Sequence, residues 1–497
     1  MSNFLAGLVN IMEPLNLFIL ASGVFLGLLS GATPGVSGLM AVVLLIPLTY
    51  GMEADTAFLL LSAVYAASVF SGSISAILFR TPGAPEAVAT TLDGYELTKQ
   101  GRASEALGIS VFSSATGGLI GSLILMFVAP QLAKFALKFG PVEYFALAMV
   151  GLSVITVLGA NNLLKALLAG LFGLFLATIG IDAMTGVPRF TFGVGGLMSG
   201  IDFIPVLIGL FAISEVLRRF MEDFTVKQQV GKITSTLPGL STIKRLWMTI
   251  GRSSLLGTII GILPGIGATT ASMVSYSEAV RWAKDKDKFG KGAEEGIAAP
   301  ESANNAAANG AMVPLLALGI PGSATTAVLL GAFILHGIRP GPLLFTEQPV
   351  LVMTLFIGLF LSNFLILAMA KPFIKMFANI IRIPYSILGT LILMLCIIGS
   401  YALRNNMLDV WLTLIFGLVG YVMEKYKYPL APVILGLVLG GMAEQELRRA
   451  LIISKGSWSI FLESNIAVGL LIFGAVMMFW PLILKVVNLV KKKSAAA

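Results

Sequence analysis

Apolar runs long enough to cross or half-cross a bilayer recur along the chain, at residues 15–29, 56–79, 107–129, 144–158, 163–181, 203–217, 350–370, 387–398, 410–422 and 466–484. A helical span needs about 20 mostly apolar residues, and fewer where the helix is broken or re-entrant. Counting shorter segments between these runs, the pattern predicts roughly a dozen passes. Composition agrees: the 497 residues are 57% hydrophobic and 12% charged, with mean hydropathy +0.93. A soluble domain carries about 25% charged residues, and so apolar a chain could not cover itself with polar surface. The expected fold class is an all-α polytopic membrane protein, and its first partner is the lipid bilayer.

Other classes fall away on residue counts. Cys396 is the single cysteine and His336 the single histidine, which excludes a disulfide framework and the usual cysteine or histidine metal clusters. Neither a GxSxG string nor a Walker A string occurs, and intramembrane acids are few, so an enzyme is not expected. The first charge is Glu13 rather than a basic cluster, which reads as no cleavable signal peptide; residues 1–15 read as a short amphipathic interfacial helix. The net charge of +8 gathers at Arg218, Arg219, Lys227, Lys232, Lys244, Arg245 and Arg252 and in the tail Lys491, Lys492 and Lys493. The positive-inside rule places both in the cytoplasm, so no nucleic-acid partner is called for.

Internal similarity organises the chain. LSGATPGVSG at 29–38 is answered by IGILPGIGAT at 260–269, TPGA at 81–84 by IPGS at 320–323, and GANNLL at 159–164 by LRNNML at 403–408. Measured between their Pro-Gly or Asn-Asn pairs, the separations of 230, 239 and 244 residues are nearly constant and keep their order, which argues for duplication. The expected domains are a first transmembrane repeat at 1–217, a cytoplasmic basic linker at 218–252 and a second repeat at 253–497. Paired halves, often inverted, recur in secondary transporters, with discontinuous helices at the binding site.

The paired Pro-Gly breaks are the candidate site. Proline removes a backbone donor and glycine tolerates irregular dihedrals, so the pair stops a helix. Irregular backbone at membrane depth survives only where protein buries it or it lines a watery cavity. A helix restarting after the break aims free N–H groups and a positive dipole end at the gap, which suits a carboxylate. The expected substrate-binding residues are Pro34, Gly35, Ser37, Gly265, Thr269, Thr270, Gly322, Ser323 and Thr325. Pro82, Gly83, Asn304, Asn305 and Pro321 are expected to support the site or hold a coupling ion, with free carbonyls at the breaks suited to Na+. The competing reading makes the breaks kinks and the asparagines interhelical hydrogen bonds. Pro300 and Glu301 suit the first turn of a helix carrying Asn304, Asn305 and Asn309. His336 reads as a cap or interface group, Lys165 and Asp182 as interfacial anchors, and 284–291 as a solvated loop.

Three strings resemble one family: FGKGAEEGIAAPESANNAAANGAMVPLLALGIPGSATTAVLLGAFILHGIRPGP at 289–342, TPGAPEAVATTLDGYELTKQGR at 81–102 and GATPGVSGL at 31–39. They are similar to the large membrane subunit of the bacterial tripartite tricarboxylate transporters. The resemblance implies a multi-pass inner-membrane permease for a small carboxylate, a periplasmic solute-binding protein, and a small membrane subunit of about four helices. It implies import driven by Na+ or H+ without ATP or another cofactor; the paired halves and their breaks, taken by themselves, predict an elevator-type movement of the domain bearing the breaks. Composition and repeats alone are equally met by a self-sufficient ion-coupled carrier needing no binding protein. Arg80 and Glu86 depart from the family pattern by bracketing the 81–85 tip with charge, either as a surface ion pair or as groups near substrate. Ser302 and Asn309 stand where Ala and Gly are more usual.

Overall fold

The computed structural model describes residues 2–33, 36–158, 162–182, 184–221, 237–380 and 385–494. Its first half runs α1 (Ser2–Met12), α2 (Pro14–Ala32), α3 (Gly38–Thr49), α4 (Ala54–Phe79), a 3-10 turn at Pro85–Ala87, α5 (Thr91–Lys99), α6 (Ala103–Ala136), α7 (Pro141–Leu158) and α8 (Leu163–Ala177). A two-residue hairpin, β1 (Gly180–Ile181) and β2 (Pro188–Arg189), precedes α9 (Phe203–Leu207), a π-turn at Ile208–Ile213 and α10 (Ser214–Phe220). The second half holds α11 (Leu240–Ile262), α12 (Gly267–Trp282), α13 (Glu295–Gly310), α14 (Met312–Leu318), α15 (Ala324–Leu335), α16 (Leu344–Glu347) and α17 (Pro349–Ile380). It ends with α18 (Tyr385–Arg404), α19 (Met407–Lys425), α20 (Ala431–Ile453), α21 (Ile460–Glu463) and α22 (Asn465–Ser494).

The all-α class is therefore observed: the chain is 79% helical, and the hairpin is the one sheet among the described residues. Five described helices, α2, α4, α6, most of α17 and α19, are long and apolar enough to cross a membrane. The apolar helices α3 and α15 have 12 residues each. At about 1.5 Å per residue such a helix covers roughly 18 Å, little more than half of a hydrocarbon core about 30 Å thick. Helix breaks account for these short lengths.

The chain forms two compact units, and each draws on both halves of the sequence. One comprises Met1–Phe135 and Glu215–Leu403, the other Ala136–Ser214 and Arg404–Ala497. The crossing points at 135/136, 214/215 and 403/404 fall within α6, α10 and α18.

In the first unit, α4 and α13 are the interior helices. Every residue from Thr56 to Phe79 and from Gly296 to Gly310 is buried. Small residues let the neighbours come close. A Cβ placed on Gly27 of α2 would lie 2.5 Å from the Val64 carbonyl, and one on Gly261 of α11 2.3 Å from the Ala307 carbonyl. Thus α2 lies on α4 and α11 on α13 through the same device, backbone against backbone over glycine. The buried serines of α4 return their hydroxyls to backbone carbonyls, as Ser62 does to Phe58 and Ser68 to Tyr65. α1 packs on α17: Gly7 meets Met353, and Asn10 donates to Asp55 and Thr354. Phe4, Leu5, Val9 and Met12 stay exposed, the apolar face that the sequence gives an interfacial helix. α11 begins at Leu240, so Lys244, Arg245 and Arg252 stand on a helix, whereas Lys227 and Lys232 lie outside the described residues.

In the second unit, α7 packs with α20 and α22, and α8 with α20. The third duplicated motif acts as a helix cap in both copies: Asn162 accepts from the Lys165 amide at 3.2 Å and Asn406 from the Leu408 amide at 3.0 Å. Asn161, its neighbour, lies outside the described residues. Lys165 donates from Nζ to the Tyr426 carbonyl at 2.6 Å and sits over the Tyr428 ring. Asp182 fixes the hairpin rather than standing as a lone interfacial anchor. It accepts from Arg448 at 2.7 Å and from the Met184 and Thr185 amides, with Arg189 at 3.4 Å and Glu444 bridging the two arginines. The Arg448 bond, then the two amides, hold its carboxyl well below the usual carboxylate range. An apolar cavity of about 380 Å³ between α7, α8 and α22 is lined by residues such as Leu152, Leu171, Met478 and Phe479. The hydroxyls in its lining, Ser153 and Thr156, are donated to backbone carbonyls, and no charged side chain lines it.

Candidate functional site at the helix breaks

The candidate site lies wholly in the first unit and is built where helices restart. α11 ends at Ile262, and Gly265 and Gly267 take positive φ of 80° and 70°, conformations that glycine adopts without strain. The Gly265 N–H donates to the Gly322 carbonyl at 2.9 Å, so two of the expected breaks are bonded to each other. A Cβ on Gly267 would lie 4.0 Å from that of Ser323, which brings the N-termini of α12 and α15 together.

Ser323 is the N-cap of α15 in a reciprocal capping box. Its hydroxyl accepts from the Thr326 amide at 3.2 Å, and the Thr326 hydroxyl accepts from the Ser323 amide at 2.7 Å. Tyr65 of α4 places its hydroxyl 3.5 Å from that of Ser323. One turn along α4, Ser68 meets the start of α3, where a Cβ on Gly38 would fall 1.9 Å from the Ser68 hydroxyl. Ser37 caps α3, accepting from the Met40 amide at 3.3 Å. The N-termini of α3 and α15, each just past a sequence break, therefore meet the Tyr65 to Ser68 turn of α4, and the N-terminus of α12 joins them at Ser323. Pro34 and Gly35 lie outside the described residues.

The 82–83 tip seats one turn further along. Gly83 donates to the Gly72 carbonyl at 3.1 Å, and a Cβ there would meet the Gly31 carbonyl at 2.0 Å and the Ser75 hydroxyl at 2.7 Å. Asn304 donates to the Glu86 carbonyl at 3.3 Å, and Asn305 donates to the Asn304 side-chain oxygen at 2.8 Å and to the Glu301 carbonyl at 3.1 Å. The asparagines thus tie this irregular segment to α13. Of the remaining expected residues, Pro321 and Thr325 are buried, Pro82 and Thr269 half-buried and Thr270 exposed.

Two expectations are corrected. Pro300 and Glu301 are not in a first turn, because α13 already starts at Glu295 and both lie in its interior. Arg80 and Glu86 form no ion pair among the described residues. Arg80 closes α4 in a left-handed conformation, φ 59°, with its guanidinium over the Tyr95 ring, while Glu86 is half-buried. Of the two roles expected for His336, the structure shows the cap: it closes α15, with its Nε2 3.1 Å from the Thr49 hydroxyl.

Sequence reasoning gave no site role to two groups, Tyr65 and Glu301. Tyr65 stands in a run of small and apolar residues with no local signature. Glu301 is fully buried, with Thr90 donating at 2.5 Å and Ser114 at 2.9 Å to its two oxygens. The available signal was a lone acid in a stretch of alanine and asparagine.

Residues 17–435 match the model of the Tripartite tricarboxylate transporter TctA family. Two similar proteins come from Agrobacterium vitis. An uncharacterized 52.8 kDa protein in the TAR-I ttuC' 3' region is 37% identical over 473 residues, covering 95% of this chain and 94% of its own. An uncharacterized protein in the TAR-II ttuC' 3' region is 42% identical over 220 residues, 44% of this chain and 91% of its own. No solved structure matches. A match over most of the chain, on a helical protein with membrane-spanning segments and broken helices, places it among transporters: the chain belongs to the tripartite tricarboxylate transporter TctA family.

Proposed function

We propose that the chain is the large permease subunit of a binding-protein-dependent secondary transporter in the bacterial inner membrane, importing tricarboxylates or related small carboxylates. The observation that carries this reading is the meeting of the α3 and α15 N-termini at Tyr65 and Ser68, with the α12 N-terminus beside Ser323. Each N-terminus brings free N–H groups and about half a positive charge, so together they hold several carboxylate oxygens without a buried arginine. Ser37, Thr269 and Ser323 orient the anion.

The driving force in this reading is a cation gradient, Na+ or H+, with the break carbonyls or a nearby acid taking the cation. The unit that bears every break is the moving carriage, and the other is the scaffold of an elevator. A periplasmic binding protein delivers the substrate, and a small membrane subunit of about four helices completes the complex.

Vesicles containing the chain and its small subunit, given labelled tricarboxylate, provide the test. Accumulation should need both the binding protein and an imposed cation gradient, and proceed without ATP. Equal accumulation with the gradient collapsed would overturn the reading. Full uptake without the binding protein would favour the self-sufficient carrier.

A further inference from the structure

Glu301 holds a carboxyl at the centre of the first unit with nothing basic to balance it. It is fully buried, and its two oxygens take hydroxyl bonds from Thr90, in the segment after the 82–83 tip, and from Ser114 on α6. Among the described residues, no Lys, Arg or His lies within ion-pair distance of it. A bare carboxylate removed from water costs several kcal/mol, and hydrogen bonds from the neutral side chains of Thr90, Ser114 and Asn304 return only part of that. The group is therefore neutral, or balanced by something that arrives and leaves.

Its other neighbours do not change this. Glu86, at the tip, is a second acid and repels charge on Glu301. Tyr65 on α4 is engaged with Ser323. Asp93 of α5 is satisfied by Tyr276 of α12 and by the Gly292 and Ala293 amides, at the head of α13. Arg102 and Arg245 pair with Glu294 at that same head, and Arg281 with Glu278. Arg252 stacks on Trp282, while Lys244 of α11 and Lys371 and Lys375 of α17 are exposed.

We propose that Glu301 is the proton-carrying group that couples proton entry to carboxylate movement. This rests on the reading of the chain as a cation-driven permease and names its cation and its carrier. The geometry supplies the coupling. Thr90 bonds the carboxyl, and Asn304, one turn along α13, bonds the Glu86 carbonyl, so both ends of the 86–90 segment are tied to the helix that carries Glu301. A proton taken up from the periplasmic side neutralises the carboxylate, so a bound anion no longer faces like charge. Release of that proton to the cytoplasm restores the charge, and nothing else is consumed.

The test compares two assays in vesicles holding the complete complex. In Glu301→Gln, accumulation driven by an inward proton gradient should be lost. Exchange of internal unlabelled for external labelled carboxylate needs no net proton movement; it should persist and lose its pH dependence. Glu347→Gln, at an exposed acid on α16 outside this segment, should accumulate normally. Infrared difference spectra of the wild type should show a protonated-carboxyl band that is absent from Glu301→Gln and kept in Glu86→Gln. Should Glu301→Gln fail to assemble, Thr90→Val and Ser114→Ala should each move the pH midpoint of wild-type uptake, and an unmoved midpoint in both would overturn the assignment. Proton-driven accumulation by Glu301→Gln would overturn it too, as would wild-type accumulation on a sodium gradient alone. A wild type showing neither accumulation nor exchange would instead remove the permease reading beneath it.

Discussion

Gly83→Val should abolish uptake while leaving the protein in the membrane. The Cβ alone would enter the Gly31 carbonyl at 2.0 Å and the Ser75 hydroxyl at 2.7 Å, and the Gly31 carbonyl is backbone in the last turn of α2, which packs on α4. Overpacking of this kind costs about 1–3 kcal/mol when neighbours adjust. Here the least anchored element is the tip itself, bonded to α4 from Gly83 to Gly72 and to α13 only through the Glu86 carbonyl further on, so the tip should lift rather than α2 and α4 part. A displacement of about 1 Å in a positioning element costs on the order of a hundredfold in rate. Gly51→Ala is the matched control, because nothing lies within 4 Å of a Cβ there. Initial uptake rates, with size-exclusion profiles and melting temperatures of both variants in detergent, check it. A Gly83→Val protein that transports normally would show that the tip is not part of the working site.

Ser323 allows helix capping and anion binding to be separated. Asp and Asn both replace Ser well as an N-cap, so Ser323→Asp and Ser323→Asn should keep the bond to the Thr326 amide and the stability of α15. They differ in charge. A carboxylate at the meeting point of the α12 and α15 N-termini occupies the dipole field that the substrate would use and repels it. Losing a hydrogen bond to a charged group costs about 1.5–3 kcal/mol, roughly ten- to a hundredfold in affinity. The apparent substrate constant of Ser323→Asp should therefore rise by about a hundredfold or more, with added repulsion, while Ser323→Asn stays within about tenfold. Uptake measured against substrate concentration at matched protein levels checks both. Equal constants for the two variants would assign Ser323 to capping alone.

The sequence exposes the parts of this fold that are local. Pro-Gly pairs mark breaks because the two residues cannot continue a helix, and the Asn162 and Asn406 motifs mark helix starts because asparagine oxygens accept free amides. Apolar length finds α2, α4, α6, α17 and α19. It does not find α13, whose glutamate, asparagines and small residues give low hydropathy although α13 is buried from end to end, because its solvent is other helices rather than lipid. The sorting of both halves into two interleaved units depends on contacts between residues hundreds apart, such as Tyr65 with Ser323 and Asn304 with Glu86. No local pattern encodes these. Glu301 was misplaced for the same reason: Pro300 resembles a helix start, and only the tertiary packing shows that α13 begins earlier.

Substrate protection of single cysteines tests most directly whether the carboxylate rests on these helix N-termini. Cys396 is buried and would first be replaced, and cysteines would then be placed singly at 323, at 269 and, as a control, at the open position 469. Labelling by a small water-soluble thiol reagent should be slowed by saturating tricarboxylate at 323 and 269 and unchanged at 469. Labelling at 323 and 269 that proceeds at the same rate with and without substrate would contradict the site.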